Sequence, residues 1–121
     1  APSLPGSAAK TRAALLALAR VAGRGDGLAV DAIASRLEDV DHRVRRAAVK
    51  ALAQAALLRD ERAAAALALR AADSVPAVRR VALEALGEME ARGEAVVAAV
   101  LARLTDEDEG VREEALGALA L

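Results

Sequence analysis

The stretch "DVDHRVRRAAVKALAQ", Asp39 to Gln54, decides the fold because it occurs three times. It returns as "DSVPAVRRVALEALGE" from Asp73 and as "DEDEGVREEALGALAL" from Asp106, so the leading aspartates stand 34 and then 33 residues apart. In every copy a valine follows five residues later and an arginine six later, at Val44–Arg45, Val78–Arg79 and Val111–Arg112. A period of this length with constant internal offsets marks an array of small supersecondary units that complete one another by stacking. A fourth, degenerate copy lies upstream, where "AALLALA" from Ala13 aligns with "AAVKALA" from Ala47.

Each unit reads as two helices. Alanine and leucine dominate an apolar fraction of 55%, and both are strong helix formers, whereas β-branched residues are scattered. The periodicity predicts second helices near 8–22, 42–57, 76–91 and 110–121, preceded in three units by first helices near 28–38, 61–72 and 94–105. Gly23, Gly25 and Gly27 break the chain after the first of these, and "ARGE" from Ala91 breaks it after the third. Pro76 suits a first helical turn, where no amide donor is lost. Asp26, Asp60, Asp73 and Asp106 stand where caps or favourable helix-dipole charges belong. With no aromatic residue at all, the core must rest on many close contacts between small side chains.

The pattern D-x4-V-R-x2-A-L/V-x-A-L after a short amphipathic helix resembles a HEAT repeat, in particular the short HEAT-like repeats first associated with phycobilisome lyases. The resemblance covers nearly the whole chain. It implies an all-α fold, a right-handed α-solenoid of antiparallel helix pairs with about three and a half repeats. The expected organisation is one domain, 1–121, with units near 1–24, 25–57, 58–91 and 92–121. The resemblance also implies a ladder of hydrogen bonds between successive repeats, carried here by Asp39 and Arg45, Asp73 and Arg79, and Asp106 and Arg112. The first copy departs from it, with Pro5 at the aspartate position and Lys10–Thr11 at Val-Arg, and reads as a worn cap. Tetratricopeptide repeats need aromatic packing residues, and ankyrin repeats need a "TPLHxA" signature; neither is present.

Helical geometry sorts the second helices into faces. With Val44 inward, Ala47, Ala48, Ala51, Leu52 and Ala55 share its side, and Arg46, Lys50 and Gln54 lie opposite. Across the stack, the outward rows run Arg12, Arg46, Arg80, Glu113 and Leu16, Lys50, Glu84, Gly117; Leu121 ends a third. The resemblance implies that these helices line the concave, binding surface. Charge varies along the chain in the same sense. Residues 1–36 carry five bases and two acids, residues 37–70 seven and five, and residues 71–121 five and eleven, for a net charge of −1. A groove basic in its first three units and acidic in the last is therefore expected, with Arg12, Arg46, Lys50, Arg80, Glu84 and Glu113 as partner-binding residues.

Catalytic and metal chemistry find no support in the residues. There is no cysteine, and His42 is the single histidine, beside charged residues at a helix start. Ser35 and Ser74 have no patterned His or Asp. "DEDE" from Asp106 lacks the spacing of a calcium loop, and "GRGDG" from Gly23 lacks the following Lys-Ser/Thr of a phosphate loop. No cofactor is expected. The apolar stretch Ala8–Ala22 is interrupted by Lys10, Arg12 and Arg20, too short and charged to cross a bilayer. A soluble, cytoplasmic protein without a membrane partner is the expectation. The missing initiator methionine and the mid-pattern ending "LGALAL" are compatible with a piece of something longer.

The reading that follows is a non-catalytic scaffold for another protein or peptide, with an acidic or amphipathic segment laid along the basic row. Self-association through apolar solenoid ends is a further expectation. Nucleic-acid binding is disfavoured by the near-neutral charge, the absent stacking residues and the acidic last third. An enzyme subunit of the bilin lyase type rests on the resemblance alone, and the chain offers little chemistry for handling a chromophore.

Overall fold

The computed structural model describes residues 6–120, and every regular element among these residues is a helix. Seven α-helices follow one another: α1 (Ser7–Val21), α2 (Gly27–Ala34), α3 (His42–Ala55), α4 (Glu61–Arg70), α5 (Pro76–Glu88), α6 (Glu94–Ala102) and α7 (Glu109–Ala120). A 3₁₀ turn, Arg103–Thr105, extends α6. Pro5 and Leu121 lie outside the described residues.

The helices form two layers. α1, α3, α5 and α7 pack side by side in chain order, while α2, α4 and α6 cover them, α2 against α3 and α4 against α5. Contact is much closer along the first layer than the second, where α2 and α4 scarcely touch. Composition explains the difference. The side of α3 that meets its neighbours is built from Ala47, Ala48, Ala51 and Ala55, all buried, and small side chains let helix backbones approach closely. Branched residues fill the space between layers: Ile33, Leu52, Leu67, Leu83, Leu86 and Val78 are almost wholly excluded from solvent. The buried side chains form one continuous cluster from Ala8 to Ala115.

An arginine–aspartate ladder binds the units together. Arg45 on α3 grips Asp73, in the turn before α5, with two hydrogen bonds: Nε to Oδ2 at 2.9 Å and Nη2 to Oδ1 at 3.1 Å. Its Nη1 meanwhile donates to the backbone carbonyl of Asp39 at 2.8 Å. One unit on, Arg79 donates from Nη2 to Asp106 Oδ1 at 3.0 Å and from Nη1 to the Asp73 carbonyl at 2.9 Å. Its Nε also lies 3.0 Å from Asp106 Oδ2, an ionic contact whose N–H is not aimed at that oxygen. Each arginine thus meets the carboxylate of the next unit and only the main chain of its own. Arg112 repeats the inner half, bonding the carbonyls of Asp106 and Glu107 at 2.7 and 3.2 Å. Asp39 receives no arginine from the preceding unit, because Thr11 stands where that arginine belongs. Asp39 is instead met by Arg36 at 3.5 Å and by the Asp41 amide at 2.9 Å.

Of the four aspartates expected at helix starts as caps or dipole charges, two are caps. Asp26 and Asp60 cap α2 and α4, accepting from Ala29 N and Ala63 N. Asp73 and Asp106 are not caps. Each accepts the amide two residues on, at Val75 and Asp108, in an Asx turn that aims the carboxylate at the ladder. The caps of α3 and α7 are Asp41 and Asp108, through Arg43 N and Val111 N. α5 starts at Pro76, whose fixed φ suits the first turn.

Several helices stop short of their expected ends. α2, α4 and α6 finish two to four residues early because the chain tightens into i→i−3 bonds, such as Leu37 N to Ala34 O and Asp73 N to Arg70 O. α5 ends at Glu88 because Glu90 adopts a left-handed backbone (φ 54°) and Ala91 N closes onto Leu86 O. The opposite edge of the stack carries a backbone stitch. Gly25 N donates to Ala55 O at 2.7 Å and Arg59 N to Met89 O at 2.9 Å, satisfying carbonyls at the ends of α3 and α5.

Candidate functional site

The ladder removes most of the repeated cations from any binding role. Asp73 sits almost wholly buried between Arg45 and Arg70, and Asp106 between Arg79 and Arg103. Burial pushes both carboxyls up, but hydrogen bonds and guanidinium charge outweigh it and hold both below the usual aspartate range. For Asp73 the opposing donors are Arg45 and Val75 N; for Asp106 they are Asp108 N and Arg79. Arg43 is likewise engaged, bound through Nε and Nη2 to Asp41 at 3.1 and 2.8 Å. The side-chain hydrogen bond from Arg43 holds Asp41 far below the ordinary value.

Arg46, Lys50 and Gln54 are exposed on α3, as are Arg80, Glu84 and Glu88 on α5, so the outward rows fall where helical periodicity puts them. An open groove of about 490 Å³ lies between α1 and α3, lined by Arg12, Leu16, Arg46 and Lys50 with His42 and Arg43 at its edge. None of Arg12, Arg46 and Lys50 forms an ion pair with a described carboxylate. The Arg12 Nε is closed off from solvent and has no hydrogen-bond partner.

The other three expected binding residues lie elsewhere. Arg80 folds over the start of α7, where a Cβ on Gly110 would come within 2.9 Å of its Nε. Glu84 belongs to a second groove, between α5 and α7, with Glu88 and Glu114. Glu113 is exposed but does not line it. A third depression, over α3 and α5, joins the two and places Lys50 and Gln54 opposite Glu84 and Glu88. Partial burial and then the neighbouring Glu84 charge raise the Glu88 carboxyl, and Glu114 adds to the effect. Glu88 and Glu114 were absent from the expected set, although Glu88 stands four residues after Glu84 on the same stripe.

Among the described residues no cluster of His, Cys, Asp or Glu is arranged to hold a metal ion, and no helix is long and apolar enough to cross a membrane. A family model described as HEAT repeats matches residues 6–87, which takes in α1 to α4, nearly all of α5 and the complete Arg45–Asp73 rung. No curated protein matches the chain.

Proposed function

The chain belongs to the HEAT-repeat family, and from that premise we propose that it is a non-catalytic scaffold that holds another protein along the exposed face of α1, α3, α5 and α7. HEAT repeats commonly serve as interaction scaffolds. One observation carries the reading: Arg12, Arg46 and Lys50, from two different units, converge on one groove while the structural arginines around them are committed to the ladder. An acidic or amphipathic segment of a partner is the ligand chemistry such a groove favours, through charge complementarity over an apolar floor that includes Leu16, Ala13 and Ala47. The same face turns acidic at Glu84, Glu88 and Glu114, which would repel a nucleic-acid backbone.

Affinity capture compares the wild-type chain with an Arg46→Glu/Lys50→Glu variant and with a Glu61→Lys/Arg62→Glu control on α4. Loss of the same proteins from the first variant, with retention by the control, is the expected result. Identical recovery by all three would defeat the groove as the binding site.

A further inference from the structure

The exposed face of α1, α3, α5 and α7 changes sign along its length, and this bears on what can lie across it. At one end Arg12, Arg46 and Lys50 line the α1/α3 groove. At the other, Glu84, Glu88 and Glu114 line the α5/α7 groove. The depression between them holds Lys50 on one side and Glu84 and Glu88 on the other, so the two ends belong to a single surface. Neither cluster is neutralised by an ion pair among the described residues.

Resting on the scaffold reading, we propose that the bound segment is charge-bipolar: acidic where it crosses α1 and α3, basic where it crosses α5 and α7. A uniformly acidic segment would satisfy the first groove and meet three carboxylates at the second. Like-charge juxtaposition of that kind acts as discrimination against the wrong ligand. Spacing follows from elementary geometry. Packed helix axes lie about 8–10 Å apart, so the two grooves, two helix steps from one another, are separated by about 20 Å. An extended chain rises about 3.3 Å per residue, which sets the acidic and basic centres of the ligand about six residues apart.

The test uses the whole chain and fluorescent peptides read by anisotropy at low salt. One peptide carries Glu and Lys blocks centred about six residues apart, a second has the blocks centred about three apart, a third has Glu in both blocks, and an uncharged Gly/Ser peptide is the control. The six-residue bipolar peptide is expected to bind roughly tenfold more tightly than the all-Glu peptide, and more tightly than the three-residue one. A Glu84→Lys/Glu88→Lys variant, checked for helicity by circular dichroism, is expected to reverse the preference in favour of the all-Glu peptide. Equal binding of all-Glu and bipolar peptides by the wild type would overturn the bipolar proposal and leave the acidic-segment scaffold standing. Equal binding of the two bipolar peptides would overturn the spacing. No binding above the Gly/Ser control would overturn both this proposal and the groove beneath it.

Discussion

Arg45 grips the carboxylate of Asp73, 28 residues away, through two hydrogen bonds of 2.9 and 3.1 Å, one to each oxygen, and in doing so joins two successive units. The aspartate side chain retains only 2% of its exposure. Breaking a buried pair typically costs about 3–5 kcal/mol, and the low end applies here because Arg70 still meets Asp73, and Arg103 still meets Asp106, once the ladder arginine is gone. Arg79→Ala and Arg45→Ala are therefore expected to lower stability by about 3 kcal/mol each, close to 10 °C in Tm. Arg112→Ala removes bonds to two carbonyls only, and a loss nearer 1 kcal/mol is expected. Thermal melts of the three variants give the ranking; an Arg112→Ala loss as large as that of Arg79→Ala would show that the carboxylate contact is not what matters.

The ladder also has a missing rung that a single substitution should supply. Thr11 occupies the position equivalent to Arg45 and Arg79, and Asp39 stands opposite without an arginine from the preceding unit. α1 packs on α3 as α3 packs on α5, so an arginine at position 11 has the same approach to its aspartate. Thr11→Arg is expected to stabilise the chain by about 1 kcal/mol, since Asp39 is more open to water than Asp73. The gain should disappear in the Thr11→Arg/Asp39→Asn double variant. A gain that survives the loss of the Asp39 carboxylate would trace to helix propensity instead.

Much of this was legible before any coordinates. The repeat, the number and order of the helices, the inward valine and alanines of α3 and the outward Arg46–Lys50–Gln54 stripe all follow from spacing, because period and face are properties of local geometry. The direction of the ladder was not legible. "D-x5-R" looks the same whether the arginine turns back to its own aspartate or on to the next, and only packing makes the second choice. The support from Arg36, Arg70 and Arg103 went unread, although each stands three residues before a ladder aspartate at the repeat spacing. Within one unit such an arginine looks like an ordinary cation near a helix C-terminus. Arg80 was assigned to the basic row from its register, but register cannot say that a long side chain will lie over a glycine of the neighbouring helix. The early ends of α2, α4 and α6 escaped for a related reason, as apolar residues continue through the i→i−3 turns that set the ladder aspartates in place.

The backbone stitch makes Gly25 a demanding position. Its φ is 86°, its amide donates to Ala55 O, and a Cβ there would fall 2.8 Å from Leu57 Cγ. Arg59 holds the equivalent place with φ 63°, so the conformation itself tolerates a side chain at some cost. Gly25→Ala combines that cost with displacement of Leu57, and a loss of about 1–2 kcal/mol is expected by chemical denaturation. Arg59→Gly relieves the left-handed strain and should be neutral or stabilising. If Gly25→Ala melts like the wild type, Leu57 moves aside freely and the close approach has no energetic weight.

Acid should act on the ladder and on the acidic groove in opposite senses. Asp73 and Asp106 have carboxyls lowered in the folded state, so each contributes stability above the unfolded value, near 3.9, that is lost as pH falls through the folded value. The wild-type chain is therefore expected to lose stability steeply only below about pH 4, with a shallower slope there in Asp73→Asn, whatever its stability at neutral pH. Glu88 is raised, first by partial burial and then by Glu84, so its ionised form opposes folding above the folded value. Glu88→Gln should raise Tm at pH 7 and leave it unchanged at about pH 3, where the native carboxyl is protonated in both states. Melts of wild type and Glu88→Gln at those two pH values decide it. A Tm at pH 7 equal to or below that of the wild type would mean that Lys50, across the depression, outweighs the burial of this carboxylate together with Glu84 and Glu114.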